Sequence, residues 1–143
     1  MSGPAASLAA MRPQFNAISL IVADLSAAQA FYGRLGLTFT VMDDHAEVEL
    51  PGGVRLMLDA EAMVKSFHPD WQRPVGSPQI HLAFGADSPD QVDAVYADLI
   101  GAGHRGVRAP WDAFWGQRYA TVLDPDGNGV DLYAALDPDP RAA

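Results

Sequence analysis

Two ionisable side chains interrupt apolar, strand-like patterns in the second half of the chain. His81 lies within the run PQIHLAFGAD, and Asp131 lies between Val130 and Leu132. An imidazole beside a carboxylate can act as a general base that the carboxylate orients, and both side chains can also ligate metal ions. The plainer interpretation is a hydrogen-bonded pair that satisfies two buried polar groups. We favour a ligand-contacting or structural pair, because no Ser or Cys nucleophile lies near either residue in sequence.

An aromatic segment, APWDAFWGQR, precedes the strand pattern that leads to Asp131. Trp111, Phe114 and Trp115 are too closely spaced for an ordinary surface loop. Their rings could cover the open end of a sheet, form a stacking wall for a planar or apolar ligand, or do both. Arg118 could hold a ligand carboxylate, but we expect a structural ion pair with an acidic group such as Asp131 or Asp124.

Composition limits the classes of function. The 143 residues suit one compact domain or two small fused modules, and 49% hydrophobic residues make disorder unexpected. The chain has no cysteine, which excludes disulfides, zinc–thiolate sites and thiol catalysis. A formal net charge of −9 makes nucleic acid a poor partner and would attract cationic small molecules, although it could equally serve solubility alone. No apolar run is long enough to span a membrane, and no secretory signal is evident, so we expect a cytoplasmic protein.

The chain contains two helix patterns with the same apolar spacing. Asp24 can cap the first helix, and Gly36 can end it. Ser88 can cap the second helix, with Pro89 at its first position and Gln91 completing a capping box. The apolar residues recur at the i, i+3, i+4, i+7 positions of a helix, which are Ala28, Phe31, Tyr32 and Leu35 in the first and Val92, Val95, Tyr96 and Leu99 in the second.

Each helix pattern is preceded by one strand pattern and followed by three short ones, so the sequence predicts two βαβββ units. The expected fold class is α+β, with curved mixed sheets around a cavity. His45 falls at a predicted hairpin turn and is expected at the surface. The predicted divisions are an N-terminal arm (1–13), the first unit (14–60), a linker (61–77), the second unit (78–135) and a C-terminal tail (136–143).

These residues resemble a known family. The run VADLSAAQAFYGRLGL, followed by a second unit that ends in RYATVLDPDGNGVDLYA, is similar to the vicinal oxygen chelate superfamily. That superfamily includes glyoxalase I, bleomycin-resistance proteins and extradiol dioxygenases. The resemblance covers nearly all of residues 14–135, and it implies that the first and last strands of each unit are neighbours, so that His81 and Asp131 can touch. It says little about any single activity, because such folds host many functions.

The resemblance also implies where a metal would bind. Members with metal activity place one ligand on the first and one on the last strand of each unit, and these places fall on Ala17, Met57, His81 and Asp131. Alanine cannot ligate a metal, and a thioether is a poor ligand for hard or borderline divalent ions. The first His of the extradiol dioxygenases is therefore missing. We expect no metal or other cofactor, and any divalent metal that did bind would have His81 and Asp131 as its ligands.

Two main functions are left open, besides a metal-free enzyme that would use His81 and Asp131 as its base. The first is a metal-independent binder, similar to bleomycin-resistance proteins, that takes up a small cationic or aromatic molecule in an aromatic cavity. The alternative is a metal-dependent lyase, isomerase or dioxygenase of the same superfamily that acts on a small oxygenated substrate, with a third ligand among Glu47, Glu49 and Asp59. His81 and Asp131 are the candidate catalytic residues, and the predicted ligand contacts are Met57, His81, Trp111, Trp115, Arg118, Tyr119, Asp131 and Tyr133. The resemblance makes a homodimer the expected assembly.

Overall fold

The computed structural model describes residues 11–137, which form two βαβββ units with a short helix between them. Most of the predicted arm and most of the predicted tail lie outside the described residues. The elements are β1 (Ala17–Val22), α1 (Leu25–Arg34), β2 (Thr40–Met42), β3 (His45–Glu49), β4 (Arg55–Ala60), α2 (Glu61–Phe67), β5 (His81–Gly85), α3 (Pro89–Gly101), β6 (Arg105–Asp112), β7 (Gln117–Leu123) and β8 (Gly129–Ala135).

Each unit forms its own four-stranded sheet, and the two sheets have the same topology. The strand orders are β1-β4-β3-β2 and β5-β8-β7-β6. The first and last strands of a unit pair in parallel, whereas the other neighbours are antiparallel. The fold is therefore α+β with mixed sheets, as the duplicated pattern predicted.

The hydrophobic core lies between each sheet and its helix and continues from one unit to the other. In the first unit, alternate residues such as Leu20 and Leu58 are buried beneath Phe31 and Tyr32 of α1. The Tyr32 hydroxyl crosses to the second unit and donates to Oδ2 of Asp124 over 2.7 Å. Burial and the nearby carboxylate raise the pKa of Tyr32 above its ordinary value, so this hydroxyl remains a donor.

Side-chain caps start both long helices at the predicted residues. Oδ1 of Asp24 accepts from the backbone N–H of Ala27 over 3.1 Å, and Oγ of Ser88 accepts from that of Gln91 over 3.2 Å. The Gln91 side chain reaches back to the backbone N–H of Asp87, so the reciprocal half of the capping box acts one residue earlier than in the standard motif.

Two segments differ from the sequence-based expectation. The predicted linker contains α2, whose Val64 is buried. The predicted aromatic loop is half strand, because β6 continues through Trp111 to Asp112 and only residues 113–116 turn. Irregular register along β6 and its place at the sheet edge let it include Pro110, which cannot donate to a ladder.

Among residues 11–137, no helix is both long and apolar enough to cross a bilayer.

Candidate functional site

The sheet face turned away from α3 carries the residues that the sequence singled out, and we call it the second-unit face. Strand pairing places Ala83 opposite Asp131, and β7 adds Thr121 opposite Asp131 and Tyr119 opposite Tyr133. Because side chains alternate along a strand, these residues share one side of the sheet. Together with His81, Gly85, Arg108, Trp111 and Gly129, they form the second-unit face.

Asp131 is the centre of a hydrogen-bond network on this face. Its Oδ1 contacts Nδ1 of His81 at 2.8 Å and accepts from Oγ1 of Thr121 over 2.9 Å. Its Oδ2 accepts from the Tyr119 hydroxyl over 2.6 Å. Burial of the phenol and then the bond to Asp131 raise the pKa of Tyr119 to about 12. Asp131 is only 8% exposed, and these donors satisfy its buried carboxylate.

The network also fixes the tautomer of His81. A carboxylate offers acceptors only, so the short contact requires the proton on Nδ1 of the imidazole. A neutral ring then carries its free lone pair on Nε2, which makes no hydrogen bond among the described residues. The side chain of His81 is 39% exposed, so Nε2 is available to accept from a bound molecule. The contact fits both sequence-based interpretations, a structural hydrogen-bonded pair and a carboxylate-oriented imidazole.

An aromatic cluster extends the second-unit face. Trp115 makes edge-to-face contacts with Trp111, Phe114 and Tyr119 at centroid distances of 5.5, 4.8 and 5.1 Å. Tyr119 and Tyr133 stack at 6.4 Å, so the aromatic surface runs up to the carboxylate of Asp131. Phe114 is 91% exposed and Trp115 is 47% exposed, which leaves much of the cluster uncovered in the monomer.

Arg118 is not part of this face. Its guanidinium pairs with Asp93 of α3 at 2.9 Å and with Asp112 at 3.0 Å. The expected partners, Asp131 and Asp124, were wrong, because Arg118 alternates with Tyr119 and so lies on the helix side of β7. The expected structural ion pair is present, but on the opposite face of the sheet from His81.

The first unit carries a polar cluster that the sequence analysis missed. Nδ1 of His45 contacts Oδ1 of Asp59 at 2.6 Å, and the Ser19 hydroxyl donates to Oδ2 of the same carboxylate. Oε2 of Glu47 accepts from Arg55 over 2.8 Å and lies 3.6 Å from Nε2 of His45. The hydrogen bond to Asp59, followed by smaller contributions from Glu47, raises the pKa of His45 despite partial burial. His45 is therefore a network member rather than a surface residue.

The duplicated fold explains why the metal-ligand place on the last strand of the first unit falls on Met57 rather than on Asp59. Ala17 and His81 both begin the first strand of their unit. Two residues further on, the partners across the parallel pair are Met57 in the first unit and Asp131 in the second. Asp59 is one side-chain repeat beyond Met57, where the second unit has Tyr133. The polar and apolar positions are thus exchanged between the units.

The donor set does not fit the four-ligand metal site that the fold implies. Ala17 offers no donor and Met57 only a thioether, while Asp131 already accepts three hydrogen bonds. Within the part of the chain that the structure describes, no three or more His, Cys, Asp or Glu side chains are grouped so that they could hold a metal ion. His45, Glu47 and Asp59 are close neighbours but are joined to one another and to Arg55 and Ser19 instead.

A cavity of about 490 Å³ lies between the two units, but it is not where the candidate residues meet. It runs along β1 and the start of β5 beneath the segment 71–80, with Trp71 and Arg73 on one side. Ion pairs from Arg73 to Glu61 and Asp126 hold this segment in place. Neither His81 nor Asp131 lines the cavity, so the His81–Asp131 network faces the open second-unit face instead.

Paired βαβββ units, each with its own mixed sheet, define an α+β class of protein. Comparison with known proteins identifies the family. The sequence model of the Glyoxalase/Bleomycin resistance protein/Dioxygenase superfamily matches residues 14–132. The chain belongs to this superfamily. No curated protein matches it significantly.

Solved structures share the fold at low sequence identity. A glyoxalase/bleomycin resistance protein/dioxygenase from Nocardioides is 26% identical with a TM-score of 0.71, over 90% of this chain and 87% of that one. A family enzyme from Burkholderia phytofirmans PsJN is 19% identical with a TM-score of 0.76, over 87% of this chain and all (100%) of that one. A glyoxalase-related enzyme from Fulvimarina pelagi is 20% identical with a TM-score of 0.74, over 85% and 87% of the two chains.

Proposed function

We propose that this protein binds a small planar molecule, cationic by preference, on the second-unit face and without a metal ion. The observation that carries the proposal is the Asp131 network, which holds His81 with Nε2 free on the sheet face that also carries an uncovered aromatic cluster. The ligand would donate an N–H or O–H to Nε2 and stack against the rings of Tyr119 and Tyr133, which lie next to Asp131, with Trp115 packed edge-on against Tyr119.

Stacking, one hydrogen bond and long-range charge would each contribute to ligand recognition. Burying a planar ring against aromatic side chains supplies most of the affinity, while the single acceptor on His81 sets the ligand's orientation. The net charge of −9 favours a cation in the long-range field and raises its rate of arrival at low salt. Met57 is also a predicted ligand contact, but it belongs to the sheet face of the first unit, opposite Ser19 and Glu47.

A thermal-shift comparison with matched probes tests this function. Benzamidine is a planar cation with N–H donors, benzoate has the same shape with the opposite charge, and cyclohexylamine is a cation without a planar ring. Because only ligands of the native state raise the unfolding midpoint, we expect benzamidine to raise it most. His81→Ala and Trp115→Ala should each reduce the benzamidine shift, whereas Arg55→Ala, on the sheet of the other unit, should leave it unchanged.

The same experiment can contradict the proposal. Equal shifts with all three probes, or a benzamidine shift that survives His81→Ala, would place binding elsewhere. Divalent metals should also be screened one at a time after dialysis against EDTA. A midpoint that rises with one metal, and no longer does so in His81→Ala or Asp131→Asn, would favour the alternative of a metal-dependent lyase, isomerase or dioxygenase.

We also propose that the protein is a cytoplasmic homodimer. Val41 and Met42 on the edge strand β2 are each 50% exposed, and an apolar sheet edge is a surface that proteins usually cover. Light scattering coupled to size exclusion should give twice the monomer mass, and Met42→Lys should shift the protein towards monomer. A monomeric mass for the unaltered chain at high concentration would refute the dimer.

A further inference from the structure

Gly129 lies directly beneath the ring of His81. The two residues are partners across the parallel pair of β5 and β8. A Cβ built on Gly129 would lie 2.6 Å from Cγ and Cδ2 of His81 and 2.7 Å from Nδ1, closer than the 3.0 Å limit that real Cβ contacts respect. The imidazole therefore occupies the space that any side chain at position 129 would need.

The backbone gives no other reason for a glycine at this position. Seven glycines in the described residues have positive φ angles, and Gly129 is not among them. It sits in a regular strand, where a glycine weakens the sheet relative to a residue with a side chain. What distinguishes position 129 is the contact with the ring. At Gly85, another glycine on this face, an added Cβ would lie 3.2 Å from the nearest atom of Tyr133, which is outside the 3.0 Å limit.

We infer that Gly129 is a positioning residue, whose missing side chain lets the His81 imidazole reach Asp131 and leaves Nε2 as the acceptor for a ligand. The inference rests on the proposed function for its purpose, but the geometry it invokes exists in the unliganded protein. Adding a Cβ would push the ring off the sheet. Because the side chain of His81 is 39% exposed, the ring can swing towards solvent without unfolding the unit.

The first test needs no ligand. Nitrogen-15 NMR of the histidine side chains distinguishes an imidazole protonated on Nδ1 from one protonated on Nε2, and His81→Ala assigns the His81 signals. We expect the intact protein to show the Nδ1–H form of His81 and Gly129→Ala to lose it. Gly33→Ala is the matched control, because its Cβ would meet nothing within 4 Å and its φ is not positive. An unchanged Nδ1–H signal in Gly129→Ala would overturn the inference.

A second variant keeps the inference testable if Gly129→Ala destabilises the protein. If the imidazole is the only obstacle, removing it restores the space, so the double variant Gly129→Ala with His81→Ala should melt at or above the midpoint of His81→Ala alone. If the double variant melts as low as Gly129→Ala, the glycine serves the backbone and the inference is wrong.

Ligand binding then relates the inference to the proposed function. Gly129→Ala should weaken benzamidine binding as much as His81→Ala does, by about 3- to 10-fold for one hydrogen bond, and the double variant should bind no more weakly. If benzamidine does not bind any form, the proposed function fails, whereas the NMR and rescue experiments still decide the role of Gly129.

Discussion

The phenol of Tyr119 donates to Oδ2 of Asp131 over 2.6 Å, from the strand next to the one that carries the carboxylate. Oδ1 of the same carboxylate serves Thr121 and His81. The two carboxylate oxygens therefore have different partners: Oδ2 accepts from Tyr119 of the aromatic cluster, and Oδ1 orients the imidazole of His81. The aromatic and polar halves of the second-unit face are joined at this one side chain.

Tyr119→Phe should remove the hydrogen bond to Asp131 while keeping the aromatic ring in place. The substitution removes one donor to a carboxylate that is 8% exposed, so the free energy of unfolding should fall by about 1 to 3 kcal/mol. The ring remains, so the edge-to-face contact with Trp115 and the stacking against Tyr133 are kept. Chemical denaturation measures the loss, and Tyr133→Phe, whose hydroxyl makes no hydrogen bond to Asp131, is the control. Equal losses in both variants would show that the Asp131 contact has no special weight.

His45 should make stability depend on pH. Its folded pKa is raised above the ordinary 6.5, mainly by the hydrogen bond to Asp59. A raised folded pKa gives stability that is fully present below the unfolded pKa and is lost as pH rises through the folded pKa. Urea unfolding should therefore show a decline that begins above about pH 6.5. His45→Gln should remove this decline, and a curve that keeps it would assign the dependence to another group.

The sequence predicted the fold well because repetition supplied independent copies of the same signal. Asp24 and Ser88 start helices with matching apolar faces, and both caps form as expected. The His81–Asp131 contact was also predictable, once the first and last strands of a unit were taken as neighbours. The caps and the alternating strand faces are local patterns that a single sequence records directly, whereas the pairing of β5 with β8 was supplied by the resemblance to the superfamily.

The missed features depend on pairing between strands that the sequence does not record. His45 and Asp59 meet only through the register of β3 with β4, and a one-residue slip would have separated them. The polar alternation of His45, Glu47 and Glu49 was the available signal for this cluster. The partner of Arg118 was missed for a similar reason, since Asp93 comes from α3 and is brought near only by helix packing.

Arg118→Ala tests whether that residue has any part in ligand binding. Because the guanidinium pairs with Asp93 and Asp112 at the surface on the helix side of β7, we expect a loss of less than about 1 kcal/mol in the free energy of unfolding. The benzamidine affinity should stay within experimental error of the unaltered protein. Calorimetric titration measures it, with His81→Ala as the positive control. A loss comparable with that control would mean that Arg118 reaches the ligand after all.

Tyr32→Phe should show that the two units are joined through their cores. The Tyr32 hydroxyl donates to Oδ2 of Asp124, a buried carboxylate that also accepts from the backbone of Asp126 and Asn128. Removing one donor from this turn should cost about 1 to 3 kcal/mol in the free energy of unfolding. If the units unfold together, denaturation followed by Trp fluorescence and by far-UV circular dichroism should shift by the same amount. Because all three tryptophans lie after the first unit, a shift seen only by circular dichroism would mean that the units unfold separately.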